Sequence, residues 1–395
     1  MARMCSAMLA TVAGAVSAKA ETKTVLDTTR MQGAPVSAYG VRSRFETVVR
    51  KLIGARYPSA SGSFTPLAEL DGVITPSALH YERHHGGVPE IDPGQHKLLV
   101  HGLVARERVF SMSDLRRFPA TSRLLFLECS GNGWREWTGA GADNVAETHG
   151  LTSCSEWSGV SLATVLNECG LEPGATWLVA EGADGAAMTR SIPLDKCLDD
   201  VILAYAQNGE ALRPAQGYPL RLIVPGWEGS ISVKWVRRLK ITDTPYYTRE
   251  ETSKYTDLLA DGSAREFSFV MEAKSVITQP SGTQQLKGHG YHEIRGLAWS
   301  GRGRVTRVEV TTDNGASWRD AELISPALPL CHVRFRLPWH WHGEATAIAS
   351  RCTDETGYVQ PTRAALRALR GDESFYHYNA IQTWRIAADG QVSNA

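Results

Sequence analysis

The hydrophobic pattern of the chain changes near residue 265, and this change most restricts the folds that the sequence can adopt. Beyond it, apolar and polar residues alternate, as in half-buried strands, over 305–310, 333–337 and 345–349. Asn314-Gly315 is a tight-hairpin signal, and a return strand is predicted to begin at 317–319. Alternating strands with turns at this spacing predict an immunoglobulin-like β-sandwich over residues 266–395.

The part of the chain before this change mixes short apolar runs with helical signals. The apolar runs that predict buried strands lie at 98–100, 124–127, 177–180 and 220–224. Residues 161–166 have apolar positions at helical spacing, and Gly170 follows as a helix-ending residue. A G-x-G-x-x-G motif after a strand is missing, so a dinucleotide-binding fold is not predicted. We predict an α+β protein, in which a mixed α/β domain (76–245) and a polar linker (246–265) precede the sandwich.

The first residues have the composition of an export signal. Arg3 precedes an alanine-rich apolar stretch at 8–16, and Ala-Lys-Ala at 18–20 matches a small-residue cleavage site. We predict a signal peptide over 1–20, an N-terminal extension over 21–75 and a periplasmic mature protein. This segment contains no twin-arginine pair, so the sequence leaves the export route open.

The charge balance gives no reason to expect a nucleic-acid or membrane partner. Lys plus Arg and Asp plus Glu number 42 each, so the formal net charge is zero. Such a chain lacks the overall positive charge that favours binding to phosphate backbones and anionic lipids. No segment of the sequence has the apolar length of a transmembrane helix. We therefore expect no nucleic-acid partner and no membrane span.

The seven cysteines limit the metal and redox chemistry of the chain. They form no C-x-x-C pair and no C-x-x-C-H motif, so neither zinc knuckles nor covalently attached haem is predicted. Cys5 lies in the predicted signal peptide, which leaves six cysteines in the mature chain. Export permits disulfides, but the spacing of these six does not determine a pairing.

Residues 80–89 combine histidine and arginine with accessible backbone. Cationic side chains beside Gly86-Gly87 suit an anionic ligand, because glycine leaves backbone groups open to it. Two alternatives stay open at this point. His80 and His84 would face one way on a helix and could bind zinc, although no H-E-x-x-H motif is present, or the segment could be a solvated polar loop.

A second segment places a cysteine in a Gly/Asn-rich turn. The apolar run at 124–127 leads to Cys129, and Arg135 follows the turn. Open backbone N–H groups and a nearby arginine favour the thiolate, which is a soft metal ligand or a nucleophile. A buried structural cysteine is the alternative interpretation of the same pattern.

Trp339-His340-Trp341-His342 alternates aromatic and imidazole side chains. A copper or zinc ligand pair is conceivable here, but no third ligand lies near it in the sequence. We predict strand packing with half-exposed histidines and assign no site to this segment.

Together, these motifs resemble the sulfite oxidase family of molybdenum enzymes. The two signature segments are Arg83-x-His85 with Val88-Pro89, and Glu128-Cys129-Ser130-Gly131-Asn132. Further similarity follows in order at 181–184, 191–194, 217–226 and 233–235. The stretch from 298 to 318 is similar to the dimerisation domain of that family, and the resemblance extends from about residue 77 to residue 385.

The resemblance implies one molybdenum–molybdopterin cofactor per chain and no haem in this chain, with Cys129 supplying a thiolate to the metal. The residues that match cofactor-holding positions of the family are Tyr81, Arg83, His84, His85, Asp184, Gln216, Arg221, Ser232, Val233 and Lys234. The residues implied to line the substrate pocket and to act in catalysis are Arg83, Tyr255 and Arg370.

Two departures from the family pattern affect the expected substrate. Gln216 stands where members commonly have histidine, and Gly133-Trp134 stands where prototype sulfite oxidases have consecutive arginines. Tryptophan carries no fixed charge, and Arg135 comes one position later. The pocket is therefore expected to be less suited to free, dianionic sulfite.

Within the family, 129–134 and 376–382 are most similar to molybdenum subunits of bacterial thiosulfate-oxidising (Sox) sulfane dehydrogenases. This similarity implies oxygen-atom transfer to sulfane sulfur on a cysteine of a carrier protein. It also implies a c-type cytochrome subunit as electron acceptor, and a homodimer formed through the C-terminal domain. The alternatives are a sulfite dehydrogenase acting on free sulfite, a reductive enzyme such as a sulfoxide-repair reductase, and a non-enzymatic secreted β-sandwich binding module.

Overall fold

The computed structural model describes residues 32–54, 58–139, 143–259, 261–324 and 326–395. The chain divides into two compact units, Met1–Thr47 and Val48–Ala395. In the first unit, the described residues 32–47 are mostly exposed and form neither helix nor strand. The predicted signal peptide over 1–20 lies outside the described residues.

The second unit is rich in strands. In chain order they are β1 (Lys51–Ile53), β2 (Gly62–Phe64), β3 (Glu82–Arg83), β4 (Lys97–Gly102), β5 (Arg108–Ser111), β6 (Ala120–Glu128), β7 (Thr152–Ser161), β8 (Trp177–Gly182), β9 (Thr189–Pro193), β10 (Ile202–Gln207), β11 (Glu210–Ala211), β12 (Arg221–Ile223), β13 (Val236–Thr242), β14 (Asp257–Leu258), β15 (Ala264–Arg265), β16 (Lys274–Gln279), β17 (Gly290–Trp299), β18 (Val305–Thr311), β19 (Arg319–Asp320), β20 (Glu322–Leu323), β21 (Val333–Trp341), β22 (Thr346–Asp354), β23 (Thr383–Ile386) and β24 (Val392–Asn394).

The helices of this unit are short. The α-helices are α1 (Met112–Leu115), α2 (Trp134–Thr138), α3 (Val145–His149), α4 (Leu162–Cys169), α5 (Leu194–Asp199), α6 (Arg249–Thr252) and α7 (Arg363–Arg370). Single turns of 3-10 helix lie at Pro58–Ala60, Ser77–Leu79 and Pro214–Gln216. Within the described ranges, no helix is both long and apolar enough to cross a membrane.

Two five-stranded sheets form the N-terminal half of this unit. One has the order β5-β4-β13-β8-β9, in which β4 and β13 are parallel; the other has the order β11-β10-β7-β6, with β12 also paired to β10. Their inner faces share one apolar core with α4 and α5, in which Leu98, Leu203, Leu222 and Leu239 are fully buried. The two sheets and their shared core therefore fix the loops that join their strands, including the turn after β6 that contains Cys129.

The C-terminal half is a β-sandwich. One sheet has the order β16-β17-β21-β20, and the other has the order β19-β18-β22-β23-β24. Trp299, Trp341 and Trp384 fill its core, which continues onto Phe126 of β6 and Cys154 of β7. The predicted α+β class and C-terminal sandwich are confirmed, and the shared core fixes the sandwich against the sheet that leads to Cys129.

Several local predictions are also confirmed. Each predicted strand falls within or overlaps an observed one, and α4 ends at Gly170, whose φ of 71° is left-handed. In β21, Trp339 and Trp341 are buried while His340 is exposed, as strand alternation requires.

The predicted hairpin exists but has a longer loop than Asn314-Gly315 alone indicates. Strands β18 and β19 pair through Val310 and Arg319, so eight residues separate these partners in the sequence. Asp313 accepts hydrogen bonds from the Ser317 backbone and from the Thr311 hydroxyl, which stabilises the wider turn. The prediction missed this width, because side chains of turn residues can replace the pairing of a tight hairpin.

The segment predicted as a linker contains α6 and the β14–β15 hairpin. Buried Glu251 of α6 accepts hydrogen bonds from the backbone and hydroxyl of Ser191 on β9. These contacts place the adjoining residues, including Tyr255, against the N-terminal half of the unit.

Gly159 provides a test of this packing. A Cβ atom there would lie 2.1 Å from Leu203 O and 2.6 Å from Ala204 Cα, whereas one at Gly54 would meet nothing within 4 Å. We expect Gly159→Ala to lower the free energy of unfolding by about 1–3 kcal/mol through overpacking of the sheet. Gly54→Ala is the matched control and should change it by less than about 1 kcal/mol. Urea unfolding of both variants measures the effect, and equal stabilities would contradict the close β7–β10 contact at Gly159.

Candidate active site

A cavity in the N-terminal half of the large unit contains all but one of the predicted site residues. It encloses about 640 Å³ of space, part of which opens to solvent. The predicted residues that line it are Tyr81, Arg83, His84, His85, Cys129, Asp184, Gln216, Arg221, Ser232, Val233, Lys234 and Tyr255. Residues from distant parts of the chain therefore converge on one site.

Cys129 directly follows β6, which delivers it to the cavity. Its backbone N–H donates to Leu151 O at 2.9 Å, and Asn132 N donates to Cys129 O at 2.8 Å, which closes the turn. Burial raises the pKa of the Cys129 thiol, although the Gly131 N–H and Arg83 oppose this shift. The predicted stabilisation of the thiolate by turn N–H groups and a nearby arginine is present, but desolvation of the buried thiol outweighs it. A bound metal ion would supply the missing stabilisation of the thiolate.

Glu128 anchors the cysteine turn to the sandwich. Its carboxylate accepts hydrogen bonds from Lys274 Nζ, from Trp299 Nε1 at 2.7 Å and from Asn132 Nδ2 at 2.9 Å. Lys274 and Trp299 belong to strands β16 and β17, and all four side chains are buried. A buried ion pair is favourable when its remaining polar atoms also have partners, as they do here.

A group of buried cations occupies the other side of the cavity. Arg221 donates to Ser232 O and to the Gln216 side chain, while Gln216 Nε2 donates to Tyr81 O at 2.9 Å. Burial lowers the pKa of Arg221 to about 10. Burial and the nearby Arg221 charge also lower the pKa of Lys234 well below its usual range. An anionic ligand in the cavity would relieve this repulsion.

His84 links the cations to a carboxylate. Lys234 Nζ lies 2.8 Å from His84 Nδ1, and His84 Nε2 lies 3.0 Å from Glu82 Oε2. Burial lowers the pKa of His84, so the ring is neutral near pH 7. The ionised Glu82 carboxylate can only accept, so His84 Nε2 carries the proton that it donates to Glu82, and Nδ1 accepts from Lys234 Nζ. Burial raises the pKa of Glu82, but hydrogen bonds from His84 and Arg50 bring it down to about 2.

His85 and Tyr255 form a second polar pair. His85 Nε2 lies 2.7 Å from the Tyr255 hydroxyl, and the backbone of Tyr255 is left-handed with a φ of 55°. Burial lowers the pKa of His85 to about 4 and raises the pKa of Tyr255. The pair is therefore a neutral imidazole and a protonated phenol near pH 7.

The remaining cofactor candidates lie on loops that approach one another closely. Asp184 Oδ1 accepts from Met188 N at 3.2 Å, and Ser232 Oγ accepts from Val224 N at 3.0 Å. A Cβ atom at Gly86 would lie only 2.2 Å from Ala186 N, so this approach requires glycine. Val233, which also lines the cavity, is buried.

Arg370 lies outside the cavity. It is buried at the end of α7, where its charge interacts with Arg265 and Asp257, and burial lowers its pKa. The Asp257 carboxylate accepts from the Tyr376 backbone at 3.2 Å, and the Tyr376 ring packs against Tyr255 at 5.3 Å. The structure therefore connects Arg370 to the site through other residues and does not bring it to the cavity wall.

Arg135 is also held away from the cavity. Its guanidinium lies 5.2 Å from the ring centre of Trp134, and its Nη1 lies 3.6 Å from Glu147 Oε1. Trp134 in turn stacks on Phe375 with ring centres 5.5 Å apart. In this chain Trp134 stands at the position of the second arginine of prototype sulfite oxidases, and it stacks on Phe375.

Sequence reasoning missed five residues that line the cavity: Glu82, Met188, Gly229, Ser230 and Trp235. Glu82 and Trp235 lie inside motifs already singled out, so their neighbours provided a signal. Ser230 receives a hydrogen bond from buried Arg190 at 2.6 Å, a contact between strand β9 and a distant loop that no local pattern indicates. Met188 gave no signal of a site.

These residues fit a molybdopterin cofactor. Cys129 offers a soft sulfur ligand on one wall, while Arg83, Arg221 and Lys234 bring three cations to the cavity. The cavity also contains two carboxylates, Glu82 and Asp184, and Glu82 is already paired with Arg50. The cation surplus suits a phosphate group, and Asp184 can accept hydrogen bonds from pterin ring N–H groups.

Two family models match the chain along most of its length. The oxidoreductase molybdopterin binding domain matches residues 85–249, and the Mo-co oxidoreductase dimerisation domain matches residues 265–384. The chain belongs to the molybdopterin-binding oxidoreductase family and is a molybdenum-dependent oxidoreductase. The predicted resemblance to sulfite oxidase-type enzymes is confirmed.

One solved structure is similar over nearly the whole chain. The sulfane dehydrogenase SoxCD from Paracoccus pantotrophus contains a chain 47% identical in sequence, with a TM-score of 0.90. The match covers 94% of this chain and 99% of that chain.

Plant nitrate reductases are more distant relatives. The chain is 34% identical to nitrate reductase [NADH] 1 of Oryza sativa subsp. japonica and 35% identical to nitrate reductase [NADH] of Hordeum vulgare. Each match covers 75% of this chain but 37% of the relative. The chain thus spans less than two fifths of the length of these enzymes.

The Glu128 anchor generates a prediction. Lys274→Met would leave the Glu128 carboxylate buried without its cation, so we expect a loss of about 3–5 kcal/mol in the free energy of unfolding. Lys51→Met is the control, because Lys51 is half exposed where it pairs with Glu147, and it should cost less than about 1 kcal/mol. Urea unfolding measures both. If Lys274→Met is as stable as the control, Glu128 does not depend on that cation.

The same pair permits a rescue experiment. Glu128→Gln in the Lys274→Met background removes the uncompensated charge and should recover part of the lost stability. Metal analysis of purified Lys274→Met should also find less molybdenum per chain than in the wild type, because the cysteine turn loses its support.

Proposed function

We propose that this chain oxidises sulfane sulfur carried on a cysteine of a carrier protein, in the periplasm, as part of thiosulfate oxidation. The observation that carries the proposal is the 47% identity to the SoxCD chain over 94% of this chain. Each oxidation step adds one oxygen atom from water to the sulfur and releases two protons and two electrons. A c-type cytochrome subunit is the proposed electron acceptor.

The aromatic side of the site supports a carrier-bound substrate. A Cβ atom on Gly131 would lie 3.9 Å from Cys129 Sγ and 3.8 Å from Phe375 Cε1, so the Phe375 ring lies close to the cysteine turn. Phe375 is 45% exposed and stacks on Trp134. An exposed aromatic surface here suits contact with another protein better than capture of a small dianion.

The bound molybdenum cofactor would supply an oxygen atom to the substrate sulfur and accept its electrons. Cys129 would hold the metal, and Arg83, Arg221 and Lys234 would hold anionic parts of the cofactor. The Tyr255 hydroxyl, next to neutral His85, is placed to donate a hydrogen bond to a sulfur oxyanion as negative charge develops on it. Arg370 then acts as a positioning residue, through Asp257 and Tyr376, on the wall that carries Tyr255.

The sandwich is the proposed homodimer interface. Its match to the Mo-co oxidoreductase dimerisation domain supports this assignment. Because Glu128 connects the sandwich to the cysteine turn, the proposed dimer would also support the site.

Cys129→Ser tests the cofactor and the chemistry together. We expect a hydroxyl to be a poor ligand for a soft metal site, so molybdenum retention should fall by at least about tenfold, and turnover should be lost. Metal analysis and cytochrome c reduction measure the two effects. Cys197→Ser is the control, because Cys197 is buried beside the apolar core and lies outside the cavity. Full activity in Cys129→Ser would contradict the proposal that Cys129 holds the metal and is needed for turnover.

A substrate comparison separates the rival reactions. The holoenzyme is assayed by cytochrome c reduction with a persulfidated carrier protein and with free sulfite, and by nitrate consumption with a reduced dye. The proposal predicts a kcat/KM at least about tenfold higher for the carrier than for sulfite. Preference for free sulfite would make the chain a sulfite dehydrogenase, and nitrate turnover would place it with the nitrate reductases.

A further inference from the structure

Two cysteines from opposite halves of the large unit lie in contact within the shared core. Cys154 is on β7, and Cys331 lies two residues before β21 begins at Val333. Their sulfur atoms are 3.4 Å apart, although 177 positions separate the residues in sequence. Cys154 is fully buried, and Cys331 is 2% exposed.

Backbone pairing holds both cysteines in place. Thr75 N donates to Cys154 O at 2.7 Å, and Cys154 N donates to Thr75 Oγ1 at 3.2 Å. On the other side, Phe126 N donates to Leu330 O at 2.9 Å. The two chain segments are therefore fixed next to each other by contacts that do not involve the thiols.

The contact between the sulfurs is close to the geometry of a covalent bond. An S–S bond is about 2.05 Å long, so the sulfurs need to approach by only about 1.4 Å. Burial raises the pKa of Cys154, while contact with Cys154 lowers the pKa of Cys331.

The other cysteines of the described ranges lack such a neighbour. Cys129 belongs to the candidate active site, and Cys169, Cys197 and Cys352 are buried singly. Among the described residues, Cys154 and Cys331 are the one pair with sulfur atoms in contact. The structure thus answers the pairing question that the sequence left open.

We propose that Cys154 and Cys331 form a disulfide when the chain folds in an oxidising compartment. The two thiols lose two protons and two electrons as the S–S bond forms, and the disulfide of a thiol oxidant, small or protein, is reduced to two thiols. Because both thiols are buried in the folded chain, the exchange takes place during folding, before the core closes. The cross-link joins β7 of the molybdopterin half to the sandwich, independently of which substrate the enzyme oxidises.

Expression in two redox environments tests the proposal. The full chain is produced in a host with a reducing cytosol and in one whose cytosol forms disulfides, then denatured with iodoacetamide and without reductant. Intact mass should find two fewer alkylated thiols in the chain from the oxidising host, and peptide mapping should find a Cys154–Cys331 cross-link. Full alkylation in the oxidising host, or a cross-link between other cysteines, would overturn the proposal.

Serine variants complete the test. Cys331→Ser should abolish the cross-link, whereas Cys197→Ser, which alters another buried thiol, should retain it. The wild-type thermal midpoint should be several degrees higher from the oxidising host, because the cross-link restricts the unfolded chain. Cys331→Ser should lose this difference, and a difference that persists in Cys331→Ser would contradict the assignment. If that variant fails to fold, the wild-type peptide map alone decides.

Discussion

The buried ion pair between Glu128 and Lys274 is the interaction on which the rest of the site depends. Charges buried in an apolar core are costly unless every polar atom has a partner, and here Trp299 and Asn132 complete the shell around the carboxylate. Glu128 is bonded directly to Cys129 in the chain, so the position of the sulfur follows from contacts made by the sandwich. The sandwich consequently supports the candidate active site, although none of its described residues lines the cavity.

On the opposite wall of the cavity, burial affects two side chains with charges of the same sign. Lys234 and Arg221 are held close together, and burial makes their repulsion stronger than it would be in water. The protein tolerates this because backbone carbonyls, Gln216 and His84 accept their hydrogen bonds. An anion that binds in this cavity gains free energy from cations that are already in place.

Sequence reasoning located the wall of the cavity because its residues lie in short local motifs, such as the Cys129 turn and the segment around Lys234. The sandwich was predictable for a similar reason, since strand alternation is a local signal. The partners of Glu128 were not predictable, because Lys274 and Trp299 lie 146 and 171 positions away along the chain. The place of Arg370 behind Tyr376 was not predictable either, because it follows from tertiary packing. Burial likewise decides that the pKa of Cys129 is raised, and local sequence does not show this burial.

The continuous core between β6, β7 and the sandwich limits how this protein can be recombined. A chimera that exchanged the C-terminal half for that of a distant relative would need to keep a lysine and a tryptophan in register with Glu128. Without them, the grafted half could fold correctly and still leave the Glu128 carboxylate buried without partners next to Cys129. The sequence reads as two separable domains. Each half is nevertheless compatible only with a counterpart that preserves the buried contact of Glu128 with Lys274 and Trp299.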